Sequence, residues 1–209
     1  MNVLWQSPAD AHAALVLAHG AGAGMTHRSM QAIADALERQ GVATLRFNFP
    51  FIDAGRSRVD SKETAVAAVA EAFAAAKART QSPVFAGGHS FGGRMSSHAA
   101  ASGAIDPAGL VFFAFPLHAA GKPSTDRAAH LKSIARPMLF LSGTRDALAE
   151  RDLLERLVGD LAPAELHWLA TADHGYRVQK RTRASSEDVF DEMARVAADF
   201  MQRTVGRDG

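Results

Sequence analysis

Short unbroken apolar runs alternate along this chain with longer stretches whose apolar positions recur at helical spacing. Residues 14–18 form an apolar run. Residues 29–40 then carry helical spacing through Met30, Ile33, Ala34 and Leu37, and Gly41 supplies a helix stop. The pattern predicts further strands over 42–47, 83–87, 110–115, 138–142 and 165–169. It predicts helices over 61–79, 93–102, 148–157 and 187–203, with Ser61 as an N-cap and Glu63 in the first turn. Strands that are apolar throughout are buried on both faces, and their alternation with helices implies a parallel sheet. Right-handed crossovers then put helices on both faces. The irregular stretches 50–60, 116–136 and 171–186 each follow a strand, so they meet at the carboxyl edge of the sheet, where ligand chemistry gathers.

Composition narrows this α/β reading. At 209 residues the chain suits one domain spanning 1–209, with none of its loops long enough to build a separate lid domain. Apolar residues make up 47% and charged residues 22%, and the formal net charge of +1 is spread without blocks. That balance favours neither nucleic acid nor an anionic membrane surface. There is no cysteine, which removes disulfides, thiol catalysis and thiolate metal sites. No signal-type or membrane-spanning run is present, so a cytoplasmic protein is expected.

The chemistry concentrates at Gly88-His89-Ser90-Phe91-Gly92, a G-x-S-x-G set between a predicted strand and a predicted helix. Such a turn strains the serine backbone and holds the hydroxyl clear of the sheet. A serine needs a base to take its proton and an acid to orient that base. In this architecture the chain order is serine, acid, histidine. Asp146 follows the strand ending at 142, and His174 follows the strand ending at 169, so both lie on the same sheet edge as Ser90. Asp173, adjacent to His174, is poorly placed to orient that ring and reads as a turn former. His89 reads as a packing residue, and His118 as a pocket or substrate-binding residue.

The segment His19-Gly20-Ala21-Gly22 follows the first predicted strand and reads as an oxyanion loop. The backbone N–H of Ala21 would pair there with that of Phe91. A dinucleotide fingerprint fits poorly. Met25 stands at the third glycine position, and Arg46-Phe47-Asn48 stands where a ribose-binding acid would end the next strand. The histidines show no metal-ligand spacing, and no cofactor is implied.

These residues resemble the α/β-hydrolase superfamily over nearly the whole chain. More narrowly they resemble its small, lidless dienelactone-hydrolase-like and KAT8-regulatory-complex-subunit-like branch. The resemblance rests on His19-Gly20-Ala21-Gly22, Phe47-Asn48-Phe49-Pro50-Phe51 with Gly55-Arg56, Phe115-Pro116-Leu117-His118 with Gly121-Lys122-Pro123, and Gly143-Thr144-Arg145-Asp146, with the Ser90 turn among them. It implies an α/β-hydrolase fold with Ser90, Asp146 and His174 as nucleophile, acid and base. Dienelactone hydrolases proper use a cysteine nucleophile, so their lactone substrate does not transfer. Met25, Phe49, Phe51, Phe115, Leu117 and His118 are expected to line an acyl pocket, and Arg56, Arg94, Lys122 and Arg145 are candidates for holding a carboxylate. The expected activity is hydrolysis of a small ester or thioester. The alternative from another class is a catalytically idle fold serving as a binding or scaffolding subunit.

Overall fold

A computed structural model describes residues 1–206. Seven strands form one sheet in the order β1-β3-β2-β4-β5-β6-β7. They are β1 Val3–Gln6, β2 Ala13–Ala18, β3 Val42–Phe47, β4 Val84–His89, β5 Leu110–Phe113, β6 Met138–Gly143 and β7 Ala164–Leu169. All pair in parallel except β1, which runs antiparallel to β3 with Val3 opposite Phe47. The helices are α1 Arg28–Arg39, α2 Pro50–Asp53, α3 Lys62–Lys77, α4 Phe91–Ala101, α5 Arg151–Gly159 and α6 Val189–Val205. None of the described helices is long and apolar enough to cross a membrane.

Successive side chains of a strand face opposite ways, so an apolar run feeds two cores at once. In β2, Leu15 and Leu17 pack toward α1 and α6 with Met30, Ile33, Leu37, Met193 and Phe200. Their neighbours Ala14 and Val16 pack toward α3, α4 and α5 with Val69, Met95, Phe112 and Leu154. The sheet is therefore buried on both faces, as unbroken apolar runs require.

Beyond shifts of one or two residues at element ends, the structure departs from the sequence expectation in four places. The first strand, β1, is absent from the expected set because four half-buried residues at a sheet edge carry no periodic signal. The apolar run through Phe115 stops being strand at Phe113, because Ala114 turns to φ 54° and takes the chain out of the sheet while Phe115 stays in the core. The stretches expected to be irregular contain α2, started by Pro50 at its first turn, and a 3-10 segment over Asp126–Ser133. Helix α5 runs Arg151–Gly159, displaced toward the C-terminus from the predicted 148–157.

Helix α3 begins where the N-cap signal puts it, with Ser61 Oγ accepting from the Thr64 N–H at 3.2 Å. Replacing this cap by alanine leaves that N–H without its side-chain acceptor. Ser61→Ala is expected to lower stability by about 1 kcal/mol in urea denaturation, with Ser61→Asp close to the parent.

Candidate active site

Strand β4 ends at His89, and the chain reverses through Ser90 into α4. Ser90 has φ 51° and ψ −113°, a left-handed conformation that non-glycine residues rarely adopt. Two hydrogen bonds hold it there. Its N–H donates to the Phe113 carbonyl at 2.9 Å, and its carbonyl accepts from the Arg94 N–H at 3.1 Å to start the helix. The flanking glycines permit the approach to β2. A Cβ on Gly88, whose φ is +150°, would lie 2.1 Å from the Ala18 carbonyl oxygen, and one on Gly92 would lie 2.4 Å from the same atom.

Asp146 follows β6 in a tight turn, its N–H donating to the Gly143 carbonyl at 3.1 Å. Its side chain is fully buried, and its Oδ1 accepts from the Leu148 N–H at 2.8 Å. The other oxygen, Oδ2, lies 2.8 Å from His174 Nδ1, and His174 Nε2 lies 2.9 Å from Ser90 Oγ. An ionised carboxylate only accepts, so the proton belongs on Nδ1 and Nε2 presents its lone pair to the serine hydroxyl. The loop bearing His174 is shaped by Asp173, whose Oδ1 accepts from the N–H groups of Gly175 and Arg177, both at 2.9 Å.

Two further histidines set this geometry. His89 donates its Nε2–H to the backbone carbonyl of His174 at 2.9 Å, with the two rings 5.3 Å apart. Burial pushes the His89 pKa down to about 4, so the ring is neutral at pH 7. His19 is fully buried and bonds at both nitrogens, donating from Nδ1 to the Gly20 carbonyl at 2.7 Å and accepting at Nε2 from the Phe49 N–H at 3.0 Å. It thereby ties the glycine loop after β2 to the loop after β3, and burial lowers its pKa as well. Sequence reading gave His89 only packing and His19 only a place in the loop. The His89–His174 and His19–Phe49 bonds cross to residues distant in the chain, for which the sequence holds no local signal.

A cavity of about 910 Å³ opens beside Ser90 and His174. Ala21 borders it, and Phe91 is the first residue of α4, where a backbone N–H has no acceptor within the helix. The six residues expected to line an acyl pocket do not border this cavity. Phe49, Phe51, Phe115 and Leu117 are core residues on the α3 and α4 side of the sheet, with Phe49 and Phe51 packed on His19 and Phe91. Met25 is half-buried away from the cavity, its N–H bonded to Asn48 Oδ1, and buried His118 bonds the Ala119 carbonyl and the Glu150 N–H. The cavity instead lies on the α1 and α6 side, walled by Met30, Tyr176 and Phe190. Of the four candidate cations Arg145 alone borders it. Arg56 pairs with Asp60, Arg94 lies near Arg127, and Lys122 is exposed in a β-bridged turn with Ala119.

The sequence matches the profile of the alpha/beta hydrolase domain family over residues 11–202. The chain belongs to the alpha/beta hydrolase family. Solved structures with this hydrolase's architecture include an alpha-beta serine hydrolase homologue from Coxiella burnetii, at 20% identity and a TM-score of 0.70, covering 96% of this chain and 89% of that one. Est1E from Butyrivibrio proteoclasticus, solved with ferulic acid, matches at 14% identity and a TM-score of 0.75, covering 98% of this chain and 95% of its own. A serine hydrolase without a lid from Xanthomonas campestris matches at 20% identity and a TM-score of 0.65, covering 98% and 88%. At these identities the likeness is one of fold, and the described residues of this hydrolase, like the last of these structures, include no separate lid domain.

Two outcomes follow from the site's construction. Gly88→Ala forces a Cβ against the β2 backbone in a conformation that already disfavours side chains, so a loss on the order of 3 kcal/mol or more is expected in urea denaturation. The second concerns acid. Unfolded histidine protonates near pH 6.5, whereas folded His89 resists until about pH 4, so its contribution is intact above pH 6.5 and is lost as pH falls between those values. The ceiling on that loss is about 3 kcal/mol, because the ring keeps some solvent contact. His89→Gln, which retains a donor and cannot titrate, should flatten the decline when stability is measured at pH 7 and pH 4.5.

Proposed function

We propose that the chain is a serine hydrolase that cleaves small-molecule esters or thioesters through an acyl-enzyme. The observation that carries this reading is the continuous hydrogen-bonded run from Ser90 Oγ through His174 to the buried carboxylate of Asp146, beside an open cavity. The strained backbone at Ser90 supports it, since such strain gathers at functional turns.

In the first half-reaction Ser90 Oγ attacks the carbonyl carbon as its proton passes to His174 Nε2. Asp146 holds Nδ1–H in place and stabilises the imidazolium that forms. The N–H groups of Ala21 and Phe91 stabilise the oxyanion, each such donor being worth about 3 kcal/mol of barrier. The tetrahedral intermediate then expels the alcohol or thiol, which takes the proton from Nε2 and leaves the acyl group on Ser90. In the second half, water attacks the acyl-enzyme and gives its proton to Nε2. Collapse releases the acid and returns the proton to Ser90 Oγ. Est1E holds ferulic acid, a small organic acid, which supports a small-molecule substrate here.

A fluorophosphonate probe is expected to label the native protein at Ser90 and to leave Ser90→Ala unlabelled. Turnover of p-nitrophenyl butyrate should fall about 10,000-fold in kcat in His174→Ala and in Asp146→Asn. An unlabelled native protein, or equal turnover in the native and His174→Ala proteins, would instead indicate a scaffolding role for the fold.

A further inference from the structure

The cavity beside Ser90 is apolar inside and cationic at its rim. Met30, Tyr176 and Phe190 supply the inner wall, while Arg28, Arg145 and Arg177 stand around the opening on three separate segments. Arg28 begins α1, Arg145 follows β6, and Arg177 follows His174. None of the three forms an ion pair among the described residues, although other arginines of the chain pair with acids. Arg145 Nη1 donates to the Thr171 carbonyl at 3.2 Å, which steadies that side chain without neutralising it. Among the described residues the one acid bordering the cavity is Asp173, and its Oδ1 is already engaged by the N–H groups of Gly175 and Arg177. The opening therefore presents three guanidinium charges against one committed carboxylate, on a chain whose formal net charge is only +1.

We propose that this site selects esters or thioesters carrying an oxyanion group, carboxylate or phosphate, at the end remote from the scissile carbonyl. The inference deepens the serine-hydrolase reading and rests on it for the identity of the scissile bond. A guanidinium presents a planar fork of N–H donors that matches a carboxylate or phosphate with two parallel hydrogen bonds. With the carbonyl at Ser90 and the apolar segment against Tyr176 and Phe190, the anionic end reaches the arginines at the rim. A wholly neutral ester leaves those charges hydrated and gains nothing from them.

The test measures binding and turnover separately. Dissociation constants are determined by calorimetry on Ser90→Ala, which cannot acylate, for two matched pairs of probes. One pair is mono-p-nitrophenyl succinate against p-nitrophenyl butyrate, and the other is acetyl-coenzyme A against the neutral S-acetyl-N-acetylcysteamine. The anionic member of at least one pair is expected to bind about 10-fold tighter, the margin shrinking at high salt. The pair that shows the preference identifies the group as carboxylate or phosphate. Adding Arg28→Gln and Arg177→Gln, whose side chains make no hydrogen bonds among the described residues, leaves Arg145 alone at the opening and should shrink that ratio several-fold. Equal binding within both pairs in Ser90→Ala overturns the proposal, as does a preference that both substitutions leave undiminished. The salt dependence in Ser90→Ala decides the matter even where the further substitutions harm folding. Turnover of the p-nitrophenyl pair by the native protein separates the two claims. Tight anionic binding without turnover defeats the hydrolase reading and leaves the anion site, whereas turnover without preference does the reverse.

Discussion

His174 occupies a loop without regular secondary structure, yet its ring must hold a fixed orientation for Nε2 to face Ser90. The hydrogen bond from Nδ1–H to Asp146 supplies that orientation and fixes the tautomer at the same time. Asp146 can do so because it is buried and its second oxygen is satisfied by the Leu148 N–H, so the carboxylate has one direction left in which to accept. The backbone of the same loop is anchored independently by His89 and by the turn around Asp173. Remove the carboxylate and the ring is free to flip, and the Ser90 hydroxyl loses its hydrogen-bond partner at Nε2.

The sheet brings these groups together because parallel strands end on one side. Ser90 leaves β4, Asp146 leaves β6 and His174 leaves β7, so chain segments far apart in sequence meet within hydrogen-bonding distance. The close packing of the Ser90 turn on Ala18 joins that edge to β2, where Ala21 borders the cavity. His19 then links this loop to Phe49, and its burial as a neutral ring means that acid strains the same edge that holds Ser90, Asp146 and His174. Three other histidines, His12, His98 and His130, also have pKa values lowered by burial, so acid acts on the molecule in the same sense at each of them.

Much of this architecture was legible in the residues. Runs such as 110–113 and 138–142 are apolar throughout because both faces are covered, and that signal survives without any knowledge of the partners. The G-x-S-x-G turn was legible because backbone clashes at Gly88 and Gly92 leave no other residue type for those places. The side of the sheet on which the cavity opens was not. Phe49, Phe51 and Phe115 follow strand ends, where leaving the sheet breaks the alternation that would say which way a side chain faces. Arg28 and Arg177 escaped notice because a lone arginine looks the same whether it meets solvent or a ligand, and only their convergence in space with Arg145 distinguishes them.

The cavity's placement separates two jobs that the chain might otherwise have mixed. Its walls come from the start of α1, the first turn of α6 and the turns and loops after β2, β4, β6 and β7, while the densest aromatic packing, Phe47, Phe49, Phe51, Phe112, Phe115 and Phe140, lies across the sheet from it. Substitutions at the mouth can accordingly retune which molecules are accepted without disturbing the aromatic half. A lineage diverging from such an arrangement would have a broad field in which to experiment, with little risk of unravelling.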